Sequence, residues 1–144
     1  YHRHGEDMSK PQVFHLITRL LDGGAEDELI QSVIGMRQKY KFVVGHGASY
    51  KEKHKKTLSD EQIVSREFPL LRHYNPVTMP FAVASIARYL RANEFNLVHT
   101  HSTEAGIVGR LAARLAGVPS VHTVHGVPFT DDRSALLNRV VLAW

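Results

Sequence analysis

Short apolar runs of strand length alternate along this chain with segments of helical period, and that alternation restricts the fold more than any single motif. Val13-Phe-His-Leu-Ile17 is the first such run. It ends against Asp22-Gly23-Gly24, beyond which Ala25, Leu29, Val33 and Met36 recur on one helical face. Glu26, Asp27 and Glu28 crowd the first turn of that helix, where the free backbone N–H groups favour acids. Tyr40 to Val44 predicts a second strand, closed by Gly45-His46-Gly47, and Gln62 to Arg66 a weaker third, ended by Phe68-Pro69. From Pro76 onward Met79, Val83, Ile86 and Leu90 follow the helical period, and Phe95 to Thr100 returns to a buried strand. Thr103 to Ala116 is helical again, with Ile107, Leu111 and Leu115 on one face, and Gly117 with Pro119 stops it. Ser120 to Val124 predicts a fifth strand. Thr130-Asp-Asp-Arg-Ser opens a last helical pattern that runs to Trp144, so the chain ends in mid-element.

Strands separated by helices of this length pair in parallel through right-handed crossovers, with helices on both faces of a twisted sheet. The expected fold is therefore a doubly wound α/β unit. Its 144 residues suit one domain: residues 1–8 read as a tag or disordered leader, and residues 9–144 as a single unit. Cysteine is absent, which excludes a disulfide framework and a thiolate metal site. No apolar run approaches the roughly 20 residues of a membrane helix, and a cytoplasmic setting is expected. The formal charge of +4 favours an anionic contact, concentrated in Lys51-Glu-Lys-His-Lys-Lys56. That run reads as a mobile loop or exposed helix end, solvated rather than ligand-binding, because it lacks interleaved aromatics. Aromatic content of 8% and the lack of a basic stripe argue against nucleic acid as a partner.

In such sheets the ligand crevice lies outside the carboxyl ends of the strands. Here those ends carry Gly23-Gly24, Gly45-His46-Gly47, His99 to Ser102, and His125-Gly126. The Gly23-Gly24 turn offers backbone N–H groups to a phosphate or carboxylate, although Asp22 and the acids at 26 to 28 would repel one; a plain tight turn explains it equally well. No dinucleotide fingerprint stands at this turn and no phosphate-loop lysine motif occurs, so no nicotinamide or triphosphate cofactor is expected. Val98-His-Thr-His-Ser102 and Thr123-Val-His-Gly126 place two histidine-bearing strand ends side by side. His15, His46 and His122 read as satisfied structural side chains, whereas His125, followed by glycine on the ligand edge, reads as functional. His99 and His101 share a strand face and raise a metal-hydrolase alternative. Glu104, Asp131 and Asp132 are not placed to complete it, so no metal is assigned. A serine triad through Ser102 and His125 lacks the strained nucleophile elbow.

Asn96 to Pro119 followed by His122-Thr-Val-His-Gly126, with Asp22-Gly-Gly-Ala-Glu26 upstream, resembles glycosyltransferase family 4. The resemblance spans Val13 to Trp144 and implies the Rossmann-like amino-terminal, acceptor-side half of a GT-B fold. It further implies retaining transfer of a hexosyl group from a UDP- or GDP-linked sugar to a hydroxyl acceptor, without an obligatory metal. Carried onto this sequence, His125 would lie by the transferred sugar as the catalytic histidine. Gly23, Gly24 and Gly126 would line the cleft, and His101 and Ser102 would belong to the acceptor pocket. Two departures stand out: Glu104 occupies a position often basic in the family, and the paired glutamates of the donor domain are absent, so this fragment alone is expected to be inactive. The resemblance and the basic balance together imply peripheral contact with an anionic membrane, at the inner face of the plasma membrane. An apolar surface meant for a partner domain would promote self-association. The competing reading is a non-enzymatic module that binds an anionic or phosphorylated ligand at Gly23-Gly24.

Overall fold

The computed structural model describes residues 10–71, 76–124 and 140–143. In chain order the elements are β1 (Gln12–Ile17), α1 (Gly24–Met36), β2 (Lys41–His46), α2 (Glu52–Asp60), β3 (Val64–Glu67), α3 (Met79–Ala92), β4 (Leu97–His101), α4 (Thr103–Ala116), β5 (Ser120–Thr123) and β6 (Val140–Ala143). The sheet runs β3-β2-β1-β4-β5-β6. Pairings from β3 through to β5 are parallel, as the alternation of strands and helices requires. The last is antiparallel, β6 against β5. This corrects the helical pattern expected to reach Trp144: Val140-Val-Leu-Ala143 is a short apolar run rich in β-branched residues, which periodicity alone does not separate from a buried helical turn. The earlier part of that pattern, from Thr130, lies outside the described residues.

Each central strand is buried on both faces, and alternate residues feed two separate cores. Phe14, Leu16, Val43 and Val98 point to one side, where Ile86, Leu90 and Val108 from α3 and α4 cover them. Val13, Ile17, Phe42 and Val44 point to the other, beneath Leu29, Ile30 and Val33 of α1 and Leu58 of α2. The first core is aromatic at its centre, with Phe14 within 5.4 to 5.9 Å of Phe95, Tyr89 and Phe68. Among the described residues no helix is long and apolar enough to cross a membrane.

Helix α4 differs from the sequence reading in which face it buries. Leu111 and Leu115 are 50% and 57% exposed, while Ala105, Val108, Ala112 and Ala113 are buried with Gly106 and Gly109. The helix lies so close to the sheet that a Cβ on Gly109 would stand 2.4 Å from Thr100 Cγ2 and 3.0 Å from Leu16 Cδ2. A Cβ on Gly106 would stand 2.7 Å from the His122 ring. Large side chains cannot enter that gap, so the leucines turn outward. Gly109→Ala should therefore destabilise the fold by about 1–3 kcal/mol, because Thr100 is held by its own hydrogen bonds and cannot yield. Gly35→Ala, with nothing within 4 Å, should instead stabilise by about 0.5–1 kcal/mol. Urea denaturation of the two variants checks both signs.

Candidate functional site

The order of the sheet makes β1 the strand at which chain direction across the sheet reverses, with β2 on one side and β4 on the other. The crevice at the carboxyl ends of β1 and β4 is where doubly wound sheets receive ligands. Thr18, just past β1, is 4% exposed and bridges to the start of α4. Its Oγ1 lies 2.8 Å from Ser102 Oγ, accepts from the Ala105 N–H at 3.2 Å, and donates to Glu104 Oε1 at 3.5 Å. The Thr18 N–H donates to Ser102 Oγ at 3.3 Å. Ser102 caps α4 with φ 71° and ψ 157°, a region that only glycine enters without strain. Hydrogen bonds to Thr18 thus hold Ser102 in a strained backbone conformation at the point where the strand order reverses.

The loops after β1 and β2 are tied together beside this crevice. Leu20 N–H donates to Ser49 O at 2.9 Å and Lys51 N–H to Leu20 O at 3.0 Å. A Cβ on Gly47 would stand 2.3 Å from Leu71 O and 2.6 Å from Thr18 O, so glycine alone lets three backbone segments meet there. The basic run that sequence suggested was loop or helix end forms the start of α2, and it turns toward Asp22. Lys51, Lys53 and His54 all reach the Asp22 carboxylate, the last two at 3.0 and 3.1 Å. Hydrogen bonds from the two lysines, Lys51 first, hold that carboxyl well below the usual carboxylate range. Glu26 folds back onto its own loop, accepting from Leu21 N–H at 3.2 Å. Lys51 and Lys53 thus offset the charge of Asp22, whereas the Glu26 carboxylate stays over the turn, its Oε1 2.7 Å from where a Cβ on Gly23 would stand.

Histidines occupy the sheet itself. His15 and His101 are 5% and 4% exposed, and His15 Nδ1 lies 2.9 Å from His101 Nε2. His99 pairs across the β1–β4 register with His15, and its Nε2 lies 2.5 Å from Thr123 Oγ1. On the opposite face His122 Nδ1 meets Thr100 Oγ1 at 2.8 Å. Burial, followed by the neighbouring His99, pushes His15 well below the ordinary imidazole range. His46 is fully buried, with Nδ1 2.7 Å from Gly47 O and Nε2 lacking a partner among the described residues. Burial is the main cause that lowers its pKa, with Lys55 adding to it, against raising contributions from Gly47 O and Glu67.

Of the residues that sequence assigned to the site, Gly23 and Gly24 sit at the start of α1, and Ser102 caps α4. His101 closes β4 and faces His15 rather than standing open to solvent. His125 and Gly126 lie outside the described residues. Thr18 had no signal in the sequence: a threonine after a buried strand is unremarkable until the topology brings Ser102 and Glu104 onto it.

Two outcomes follow from this geometry. Ser102→Ala and Ser102→Gly remove the same hydroxyl but differ in backbone strain, so the glycine variant should be the more stable by about 1–2 kcal/mol in urea denaturation. His46 titrates lower in the folded state than the 6.5 of a free imidazole, so below that pH the unfolded chain takes up a proton that the folded chain resists. Its contribution to stability is complete above pH 6.5 and declines toward acid, at up to about 1.4 kcal/mol per pH unit. His46→Gln should flatten that slope in denaturation curves run from neutral pH to pH about 5; an unchanged slope would assign it to other groups.

The glycosyl transferase 4-like domain family matches residues 28–144. A segment of 64 residues is 44% identical to the UDP-Gal:alpha-D-GlcNAc-diphosphoundecaprenol alpha-1,3-galactosyltransferase of Escherichia coli, covering 44% of this chain and 16% of that protein. Among solved structures, MurG of Acinetobacter baumannii superposes with a TM-score of 0.66 at 17% identity, over 88% of this chain and 38% of that one. HepE of Anabaena, solved with UDP and glucose, superposes with a TM-score of 0.63 at 22% identity, over 88% and 34%. The chain spans well under half the length of each of these proteins. With the family matched over most of the sequence and the doubly wound sheet shared with MurG and HepE, the chain belongs to the glycosyl transferase 4-like domain family, as a Rossmann-like amino-terminal domain of GT-B type.

Proposed function

We propose that this chain is the acceptor-side half of a retaining glycosyltransferase, which moves a hexosyl group from a UDP- or GDP-linked sugar onto a hydroxyl acceptor. The family match over residues 28–144 carries the reading. The crevice between β1 and β4 supports it, because Ser102 there presents a hydroxyl held by Thr18. Ser102 contacts the acceptor, and His101, packed against His15, supports that pocket from beneath. Gly23, Gly24 and Gly126 let ligand approach the backbone of the cleft, and His125 lies by the transferred sugar, where a neutral imidazole meets a hydroxyl or developing charge.

The name of the Escherichia coli relative supports a narrower version, with a UDP-linked hexose as donor and a sugar on a lipid diphosphate as acceptor. The net charge of +4 agrees with an anionic acceptor at a membrane surface, reached peripherally from the cytoplasmic face. Phe81, Val77, Leu111 and Leu115 leave apolar area exposed that a second domain, another copy or the membrane would cover.

The test is transfer by the full-length protein from a panel of UDP- and GDP-hexoses to lipid-diphosphate and soluble sugar acceptors, with the product anomer read by NMR. Transfer with retained configuration is expected, and His125→Ala should lower kcat by roughly 100-fold or more. An inverted product would remove the retaining mechanism alone. Failure with every nucleotide sugar would return the chain to the binding-module reading.

A further inference from the structure

Three imidazoles stand together on the α1 side of the sheet, apart from the Thr18–Ser102 contact. His15 and His99 are register partners on β1 and β4, and His101, two residues along β4, shares their face. One ring nitrogen from each lies within 4.8 Å of the other two. Four-coordinate zinc at about 2.0–2.1 Å from each nitrogen sets neighbouring ligand atoms roughly 3.3 Å apart. The His15 Nδ1 to His101 Nε2 separation of 2.9 Å is already close to that value. The His99 ring lies face to face with that of His101, with centroids 4.4 Å apart at 20°. Coordination therefore requires His99 to adjust about χ2, a broad torsion, within the range that keeps Nε2 beside Thr123 Oγ1.

From this convergence we propose that His15, His99 and His101 form a binding site for a borderline divalent transition ion of the zinc class, joining β1 to β4. The donor set selects the ion: three neutral nitrogens suit zinc, cobalt, nickel or copper and do not suit magnesium or calcium, which need oxygen ligands. Burial keeps His15 in the neutral form that ligates. The short His15–His101 contact means that one of its two nitrogens carries a proton. When metal binds, that ring's proton moves to its other nitrogen, and both rings remain neutral. His99 Nε2 lies 2.5 Å from Thr123 Oγ1, and in the tautomer that donates to this hydroxyl Nδ1 is the ligating nitrogen; such an outer partner fixes a ligand's tautomer. Three protein ligands leave a fourth position for water. The site's role is to fix β1 against β4 beneath the crevice, and it does not depend on the transferase reading.

The test uses chelator-treated protein titrated with zinc chloride by calorimetry and with cobalt(II) by visible absorption. One equivalent per chain, a tetrahedral cobalt spectrum and a raised Tm in zinc are expected. His99→Gln, at the least buried of the three, should weaken binding by well over tenfold, and Thr123→Val by about tenfold through the lost outer contact. Circular dichroism checks that each variant folds, and His2→Ala with His4→Ala excludes capture by the leading histidines. Uptake abolished by His2→Ala with His4→Ala, uptake unchanged in His99→Gln, or folded wild-type protein that takes up no stoichiometric metal would each overturn the proposal.

Discussion

Helix α4 can lie against the sheet only as closely as its smallest residues permit, and Gly106 and Gly109 set that distance. A Cβ at either would meet His122 or Thr100 well inside contact distance. Because the helix sits this low, its first turn arrives at the end of β1 with no room for a relaxed entry. Ser102 takes up the angle in a backbone conformation unfavourable to any side chain, and Thr18 fastens the turn by bonds to Ser102 and Glu104 and from Ala105 N–H. Glu104, only 8% exposed, is acceptable there because the helix amino terminus and the Thr18 hydroxyl both face it. Close packing at the middle of the helix thus determines the polar geometry at its end.

The charge distribution follows the same logic of placement. A run containing Lys51, Lys53, Lys55 and Lys56 suggests an exposed basic patch when taken as composition. In the folded chain two of these lysines and His54 converge on Asp22 from the neighbouring loop. Exposed ion pairs of this kind contribute little stability individually. Their consequence is positional: they cross from α2 to the β1 loop and hold the approach to Gly23-Gly24 in one arrangement. The backbone bonds between Leu20, Ser49 and Lys51 reinforce it.

Alternation of apolar runs with helical segments was sufficient to read β1, β2, β4, β5 and three of the helices, since burial on both faces leaves a continuous apolar signature. The residues that gather at the carboxyl edge of the sheet were legible for the same reason, because strand order fixes them. What escaped reading depends on distances between elements. The buried face of α4 is written in Gly and Ala, which carry little hydrophobic signal, so the conspicuous leucines pointed to the wrong side. Helix α2 is too polar to show an apolar stripe beyond His54 and Leu58. His15 read as a satisfied structural histidine, which its burial and its contact with His101 agree with, but its neighbours His99 and His101, 84 and 86 residues further along the chain, could not be assigned to it.

Both faces of the sheet bury an apolar cluster, and the face toward α1 and α2 adds three histidines to it. On the α3–α4 side β1 contributes Phe14 and Leu16 to an aromatic cluster with Phe68, Tyr89 and Phe95, which needs no polar partner. On the other side the same strand contributes His15 between Val13 and Ile17, and β4 answers with His99 and His101. An imidazole in a parallel strand gives up packing area and must be kept neutral and hydrogen-bonded, so it is a costly choice where valine would serve stability better. Three such choices on one face, next to the strained Ser102, concentrate the groups that cost stability at the β1–β4 boundary. The stiffness they require comes from the apolar face behind them, where Gly109 lets α4 clamp both strands.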